Sequence, residues 1–270
     1  MAEESRGFLG RLFRKNKEAA RPVREELPIS HPTVGLCFDY ERGLAYDSPS
    51  LSDLGLRDIL KVLDRHKLRA TFNCPAKLCE TAADQLEMIK EAGHELGVLG
   101  YADESPRDLT DDALKQLVFT CRNAFYNRGF LPVGFRSPHS HWDQRLCVEL
   151  AKARFRYNAE HDHANHLYVL VPGDPPLVRI PLRTDDSALR SRKEKIFLAT
   201  SKHHRVVRKA VHDGHFVAIC FHPWILAEDL QRMRHWEEWL ETAVKSGAKM
   251  VALEDALPRE DGSTNSENND

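Results

Sequence analysis

The sequence predicts an α/β protein organised around a mostly parallel sheet, on three observations. Short apolar runs of strand length alternate with amphipathic stretches of helix length along nearly the whole chain. The most apolar of these runs, residues 34–38 (VGLCF) and 215–221 (HFVAICF), read as buried strands. No G-x-G-x-x-G or G-x-x-x-x-G-K-[ST] pattern follows any of the strands, which leaves a nucleotide site without support. Strands that alternate with helices join in βα units, so the chain builds a barrel or a doubly wound sheet.

Each element has its own signal. Residues 34–38 are the first strand. A helix follows with Ser52 as its N-cap, and Leu56, Ile59, Leu60 and Leu63 keep one face of it. Residues 69–73 (RATFN) are the second strand, and residues 82–92 a helix that Gly93 stops. Residues 95–100 (ELGVLG) are the third strand. Thr110 caps a helix that reaches about Asn127 and ends before Gly129. Residues 132–135 (PVGF) are the fourth strand and residues 143–154 a helix. Residues 167–171 and 177–180 are strands, residues 200–213 a helix, residues 215–221 a strand, residues 227–246 a helix, and residues 249–253 the last strand. No internal repeat is present.

The two ends differ from this middle. Between Arg6 and Lys17 the chain carries Arg6, Arg11, Arg14, Lys15 and Lys17 with no acid, and Phe8, Leu9, Leu12 and Phe13 fall on one helical face. Residues 1–28 therefore read as a basic leader, with Pro22, Pro28 and Pro32 marking a linker. The favoured reading is a flexible, solvated tail, because Gly10 weakens the helix. The alternative is a weak peripheral contact with an anionic membrane surface. Residues 258–270 are polar and acidic and read as a disordered tail. Residues 29–257 remain as one barrel-sized domain.

Composition excludes several classes. Of 270 residues, 41% are hydrophobic, enough for a full core. Lys+Arg 39 against Asp+Glu 41 lacks the basic excess of a nucleic-acid-binding domain. No apolar run approaches the ~20 residues that span a bilayer. The six cysteines are scattered with no C-x-x-C, against a zinc ribbon or a disulfide-stapled fold. The 14 histidines direct attention to metal or proton-transfer chemistry.

In parallel α/β folds the site gathers at the carboxyl ends of the strands. There the sequence places Asp39, Tyr40 and Glu41, then Tyr101 and Asp103, then Arg136, His139, His141 and Trp142, and finally His222 and Trp224. In this context, five segments in order resemble the polysaccharide deacetylase (NodB-homology) family. They are Cys37-Phe38-Asp39-Tyr40, Ala70-Thr71-Phe72-Asn73, Ala92-Gly93-His94-Glu95-Leu96-Gly97, Phe135-Arg136-Ser137-Pro138 and Phe221-His222-Pro223-Trp224. The resemblance covers Val34 to about Leu257. It implies an irregular parallel (β/α) barrel of about seven units that removes acyl groups from amide-substituted sugars.

The resemblance also implies roles. Asp39 is the general base, Arg136 pairs with it and holds its orientation, and His222 is the acid that protonates the leaving amine. Family enzymes usually bind a divalent metal through an aspartate and two histidines. Those positions fall on Tyr40, Leu99 and Asp103, of which only Asp103 is a competent ligand, and a catalytic zinc needs about three. His94 belongs to the preceding turn and does not replace them. A cofactor, whether Zn, Fe, Co or Mn, is expected only if the site has been rebuilt, from Asp39, Glu41, Asp103, His139 and His141, or less directly from His161, Asp162, His163 and His166. The favoured reading of residues 161–166 (HDHANH) is a solvated polar loop.

Three readings follow. The first is hydrolysis of a carbon–nitrogen amide bond on a carbohydrate-like substrate. The second is an inactive glycan-binding or regulatory relative that kept the barrel. The third is deacylation of a small non-sugar amide. Trp142, Trp224 and Tyr40 are candidate substrate contacts, with rim packing the plainer reading for the tryptophans. The expected setting is cytoplasmic, with free thiols and a carbohydrate or N-acyl small molecule as partner.

Overall fold

The computed structural model describes residues 25–44, 48–190 and 196–258. The apolar face read from Phe8 to Phe13, with its membrane contact, and the acidic tail from residue 259 on lie outside the described residues. In chain order the elements are β1 (Glu26–Leu27), β2 (Thr33–Asp39), α1 (Pro49–His66), β3 (Thr71–Cys74), α2 (Leu78–Thr81), α3 (Ala83–Glu91), β4 (Glu95–Leu99), α4 (Asp111–Tyr126) and β5 (Gly134–Arg136). Then follow α5 (Gln144–Lys152), β6 (Tyr157–His161), β7 (Leu167–Val171), β8 (Leu177–Asp185), α6 (Ile196–Asp213), β9 (Phe216–Phe221), α7 (Pro223–Ala227), α8 (Leu230–Lys245) and β10 (Lys249–Val251).

Seven strands close a parallel barrel in the order β2-β3-β4-β5-β6-β8-β9 and back to β2. Three strands lie outside the ring. β10 extends β2 in parallel, β7 runs antiparallel on β8, and β1 antiparallel on β7. β2 shows why the wall forms. Successive side chains of a strand point to opposite faces. Val34, Leu36 and Phe38 therefore join Leu56, Ile59 and Leu63 of α1 in the outer core, while Cys37 joins Ala218 and Cys220 in a second cluster on the other face. The lumen is filled rather than open. A Cβ on Gly134 would lie 1.9 Å from the Tyr157 ring, so only glycine lets that ring lie where it does. The Tyr157 hydroxyl donates to Glu95 Oε1 at 2.7 Å at the amino end of β4.

Several boundaries move. α1 starts at Pro49 after Ser48, because proline at N1 is already preset for the helix, and Ser52 lies buried within it. β6 has no counterpart among the predicted strands. Its YNAEH sequence puts Asn158 and Glu160 where an apolar pattern is expected. The helix read at 227–246 is α8, which starts at Leu230 because Asp229 caps it by accepting from Gln231 N at 2.8 Å, and the short helix α7 before it has no counterpart in the sequence reading. β1 lies inside the stretch read as leader. All six cysteines are buried free thiols. Among the described residues, no helix is long and apolar enough to cross a membrane.

Candidate active site

Asp39 ends β2, and His222 follows directly on β9, the strand beside it in the barrel. Arg136 ends β5. The fold thus delivers all three to the carboxyl rim. Nε of Arg136 donates to Asp39 Oδ2 at 2.7 Å, and Nδ2 of Asn73, at the same level on β3, donates to Oδ1 at 2.9 Å. His222 Nε2 faces Asp39 Oδ2 at 4.0 Å. On its other side, His222 Nδ1 meets Asp186 Oδ1 at 2.6 Å, and the His222 backbone N–H donates to Asp186 Oδ2 at 3.1 Å.

This arrangement fixes charge. Burial alone raises a carboxyl pKa, but the Arg136 guanidinium and the His222 ring outweigh it and hold Asp39 below the usual carboxylate range. Burial likewise opposes a charged His222, yet Asp186, helped by Asp39 and Glu41, raises it to about 10. Near neutral pH the site therefore holds an anionic Asp39 beside a protonated His222. The partner Asp186 was not singled out in the sequence, although Asp185-Asp186 ends a strand and that position was a signal. Asn73 enters the sequence pattern only as the last residue of the strand at 69–73.

The remaining candidates are placed differently. Tyr40 is fully buried, and its hydroxyl donates to Asp53 Oδ1 at 2.6 Å. Arg42 grips the same carboxylate through two bonds, at 2.9 and 3.1 Å. Burial first, then Asp53, pushes the Tyr40 phenol far above its ordinary value, so Tyr40 is neither a phenolate ligand nor an exposed substrate contact. Trp224 is buried against Leu189 and Ile225. Trp142 has the Arg179 guanidinium stacked 3.8 Å from its ring centre. Packing thus occupies Trp224, whereas Trp142 is half-buried.

The expected metal ligands do not assemble. Leu99 is buried and apolar. Asp103 Oδ1 instead pairs with His139 Nε2 at 2.8 Å, across the rims of β4 and β5. The rings of His139 and His141 are 5.5 Å apart, but His141 adds no third ligand atom there. His161 ends β6 and binds Asp185 Oδ2 at 2.9 Å, and His166 pairs with Glu26 at 2.9 Å, so the 161–166 stretch is polar but partly tied down. Among the described residues, one trio of ligand atoms lies within 4.8 Å of one another, that of His66, Glu237 and Glu241, on α1 and α8. His66 closes α1 at the opposite end of the barrel, as does His94, which precedes β4. The rim residues therefore do not fit the divalent metal of the family pattern.

Comparison with known proteins agrees with this architecture. The family model described as polysaccharide deacetylase matches residues 28–158. A peptidoglycan deacetylase of Helicobacter pylori is 30% identical over 124 residues, 44% of this chain and 40% of that protein. The match thus spans less than half the length of the curated relative. A putative polysaccharide deacetylase from Mycobacterium smegmatis superposes with a TM-score of 0.71 at 20% identity, covering 86% of this chain and 91% of that one. A CE4 family pseudoenzyme from Bacillus anthracis superposes with a TM-score of 0.59 at 15% identity, covering 87% and 68%. At such identities these two structures speak for the fold. Residues 28–158 thus match the polysaccharide deacetylase family, and the barrel that they begin has the fold of solved structures described as deacetylases.

Proposed function

We propose that the protein hydrolyses a carbon–nitrogen amide bond on a carbohydrate-like substrate, releasing an acyl group as its acid. The observation that carries this is the fixed pair of unlike charges, Asp39 and His222, 4.0 Å apart at the barrel rim. Each carboxylate oxygen of Asp39 holds one hydrogen bond and keeps a lone pair for a water proton. Asp39 takes that proton as the water oxygen attacks the amide carbon. The cationic His222 and Arg136 offset the negative charge that develops on the carbonyl oxygen. His222 then gives its Nε2 proton to the nitrogen as the carbon–nitrogen bond breaks, which amines require because they leave poorly unprotonated. Asp186 holds the ring so that Nε2 faces the reaction.

Acetate release from N-acetylated chitooligosaccharides tests this. Asp39→Asn and His222→Ala should each lower the rate by about 10²–10⁴-fold. No release by the wild type from any N-acyl sugar, or release indifferent to both changes, sinks the hydrolase reading.

A second reading has its own support. Tyr40 and Leu99 stand at two ligand positions of the family, which favours a glycan-binding or regulatory relative that does no chemistry. Binding of the same oligosaccharides without acetate release would favour it. The buried free thiols support a reducing, cytoplasmic setting for either reading.

A further inference from the structure

Glu160 is fully buried on β6, and packing gives no reason for its charge. Its Oε1 accepts from Ser137 N at 2.8 Å and from Asn158 Nδ2 at 2.9 Å, two bonds that a glutamine oxygen would also accept. Its Oε2 has no hydrogen bond and faces Nη1 of Arg136 at 3.7 Å. Burying a carboxylate oxygen unbonded is unfavourable, and a neutral side chain of the same shape avoids that cost. What only a carboxylate supplies here is a negative charge on the side of Arg136 away from Asp39. The guanidinium stands between two carboxylates, bonded to Asp39 through Nε and facing Glu160 through Nη1.

We propose that Glu160 is a positioning residue that keeps Asp39 basic by sharing the charge of Arg136. Two effects act in one direction. Glu160 draws on the guanidinium that holds the Asp39 carboxylate down, and its own charge disfavours a second anion nearby. Both make Asp39 hold a proton more readily than Arg136 alone would allow. The other groups facing the pair leave this sign intact. Around Asp39 these are Cys220 of β9, His222 just after it, Cys74 of β3 and the neutral Asn73, with Asp186 behind His222. Burial raises both thiols well above their ordinary values, so they stay neutral. Around Glu160 stands Cys147 of α5, also pushed up by burial, to about 11, and facing both Glu160 and the buried Arg179 of β8. That Asp39 acts as a base rests on the hydrolase reading, whereas its electrostatic coupling to Glu160 does not.

Glu160→Gln tests the coupling directly. The Asp39 carboxyl carbon is followed by NMR in aspartate-labelled protein, assigned by its loss in Asp39→Asn, and titrated down from pH 7 while near-ultraviolet circular dichroism shows the fold intact. Its movement should begin at least about half a pH unit lower in Glu160→Gln than in the wild type. If Glu160→Gln does not fold, Glu160→Asp, which withdraws the charge by one methylene, should shift in the same direction by less. An unmoved resonance overturns the proposal, even where acetate is released normally. A moved resonance with no acetate released by either protein upholds it and counts against the hydrolase reading alone. Where acetate is released, the acid limb of the pH–rate profile should move with the resonance, at unchanged KM.

Discussion

The ring of His222 is clamped by Asp186 at both a side-chain and a backbone nitrogen, Nδ1 at 2.6 Å and N–H at 3.1 Å. One carboxylate thus sets the position of the ring, its tautomer when neutral, and its charge. Asp186→Asn removes the charge and keeps the shape. The His222 midpoint, about 10 in the native protein, should fall by two units or more, read from the ring resonances by NMR. Because the folded value lies above the unfolded one, the stabilisation from this pair is full below about pH 6.5 and is lost as pH rises through about 10. Asp186→Asn should therefore cost more stability at pH 7 than at pH 10.

At the other end of the barrel, Glu95 is buried with Glu254 nearby, and burial followed by that charge raises its pKa to about 7. Its raised value makes a contribution that is full below about pH 4.5 and lost as pH climbs through about 7. Glu95→Gln removes the ionisation. Urea unfolding should show the variant gaining on the wild type between pH 5 and pH 8.5, with Tyr157 accepting rather than donating at the new amide.

Gly134→Ala places a methyl group 1.9 Å from the Tyr157 ring. The ring is buried in the barrel and has little room to retreat, so the change should cost about 3 kcal/mol by denaturant unfolding. Pairing it with Tyr157→Ala should return part of that loss, and additive costs would show that the ring is not the obstacle.

The triple change Tyr40→Asp, Leu99→His, Asp103→His supplies the three ligand types of the family pattern. Equilibrium dialysis with zinc should show about one additional ion per chain over the wild type. Restoring histidine at 99 alone should not suffice, because Tyr40 keeps its hydrogen bond to Asp53.

The legible parts of the fold were those where burial and sequence pattern agree. β2 and β9 are buried at every position and read at once as strands. Thr110 and Gly129 bounded α4 because a capping hydroxyl and a left-handed glycine are local devices. β6 was hidden because Asn158 and Glu160, buried on one of its faces, are polar and are held by hydrogen bonds rather than by apolar packing. Asp39, Arg136 and His222 were legible through their motifs, and the structure brings them together. Asp186, Asn73 and Glu160 act through contacts with residues 34 or more positions away in chain numbering for the first two, and 23 for the last. No local pattern reports such contacts. The two rim tryptophans look alike in sequence, and only the packing tells the buried Trp224 from the half-buried Trp142.

The closure of the barrel between β9 and β2 gives the two halves of the site different tolerance to mutation. Asp39 and His222 hang from neighbouring strands locked by six paired positions, from Thr33 with Phe216 to Phe38 with Phe221. Their separation is set by a ladder rung and not by a loop, so it persists for as long as the barrel itself does. Position 103, by contrast, sits on the connection after β4, where a changed side chain leaves the ladder untouched. An aspartate and a histidine set in the seam stay together for as long as the fold does, while side chains carried on a connection can be exchanged one at a time.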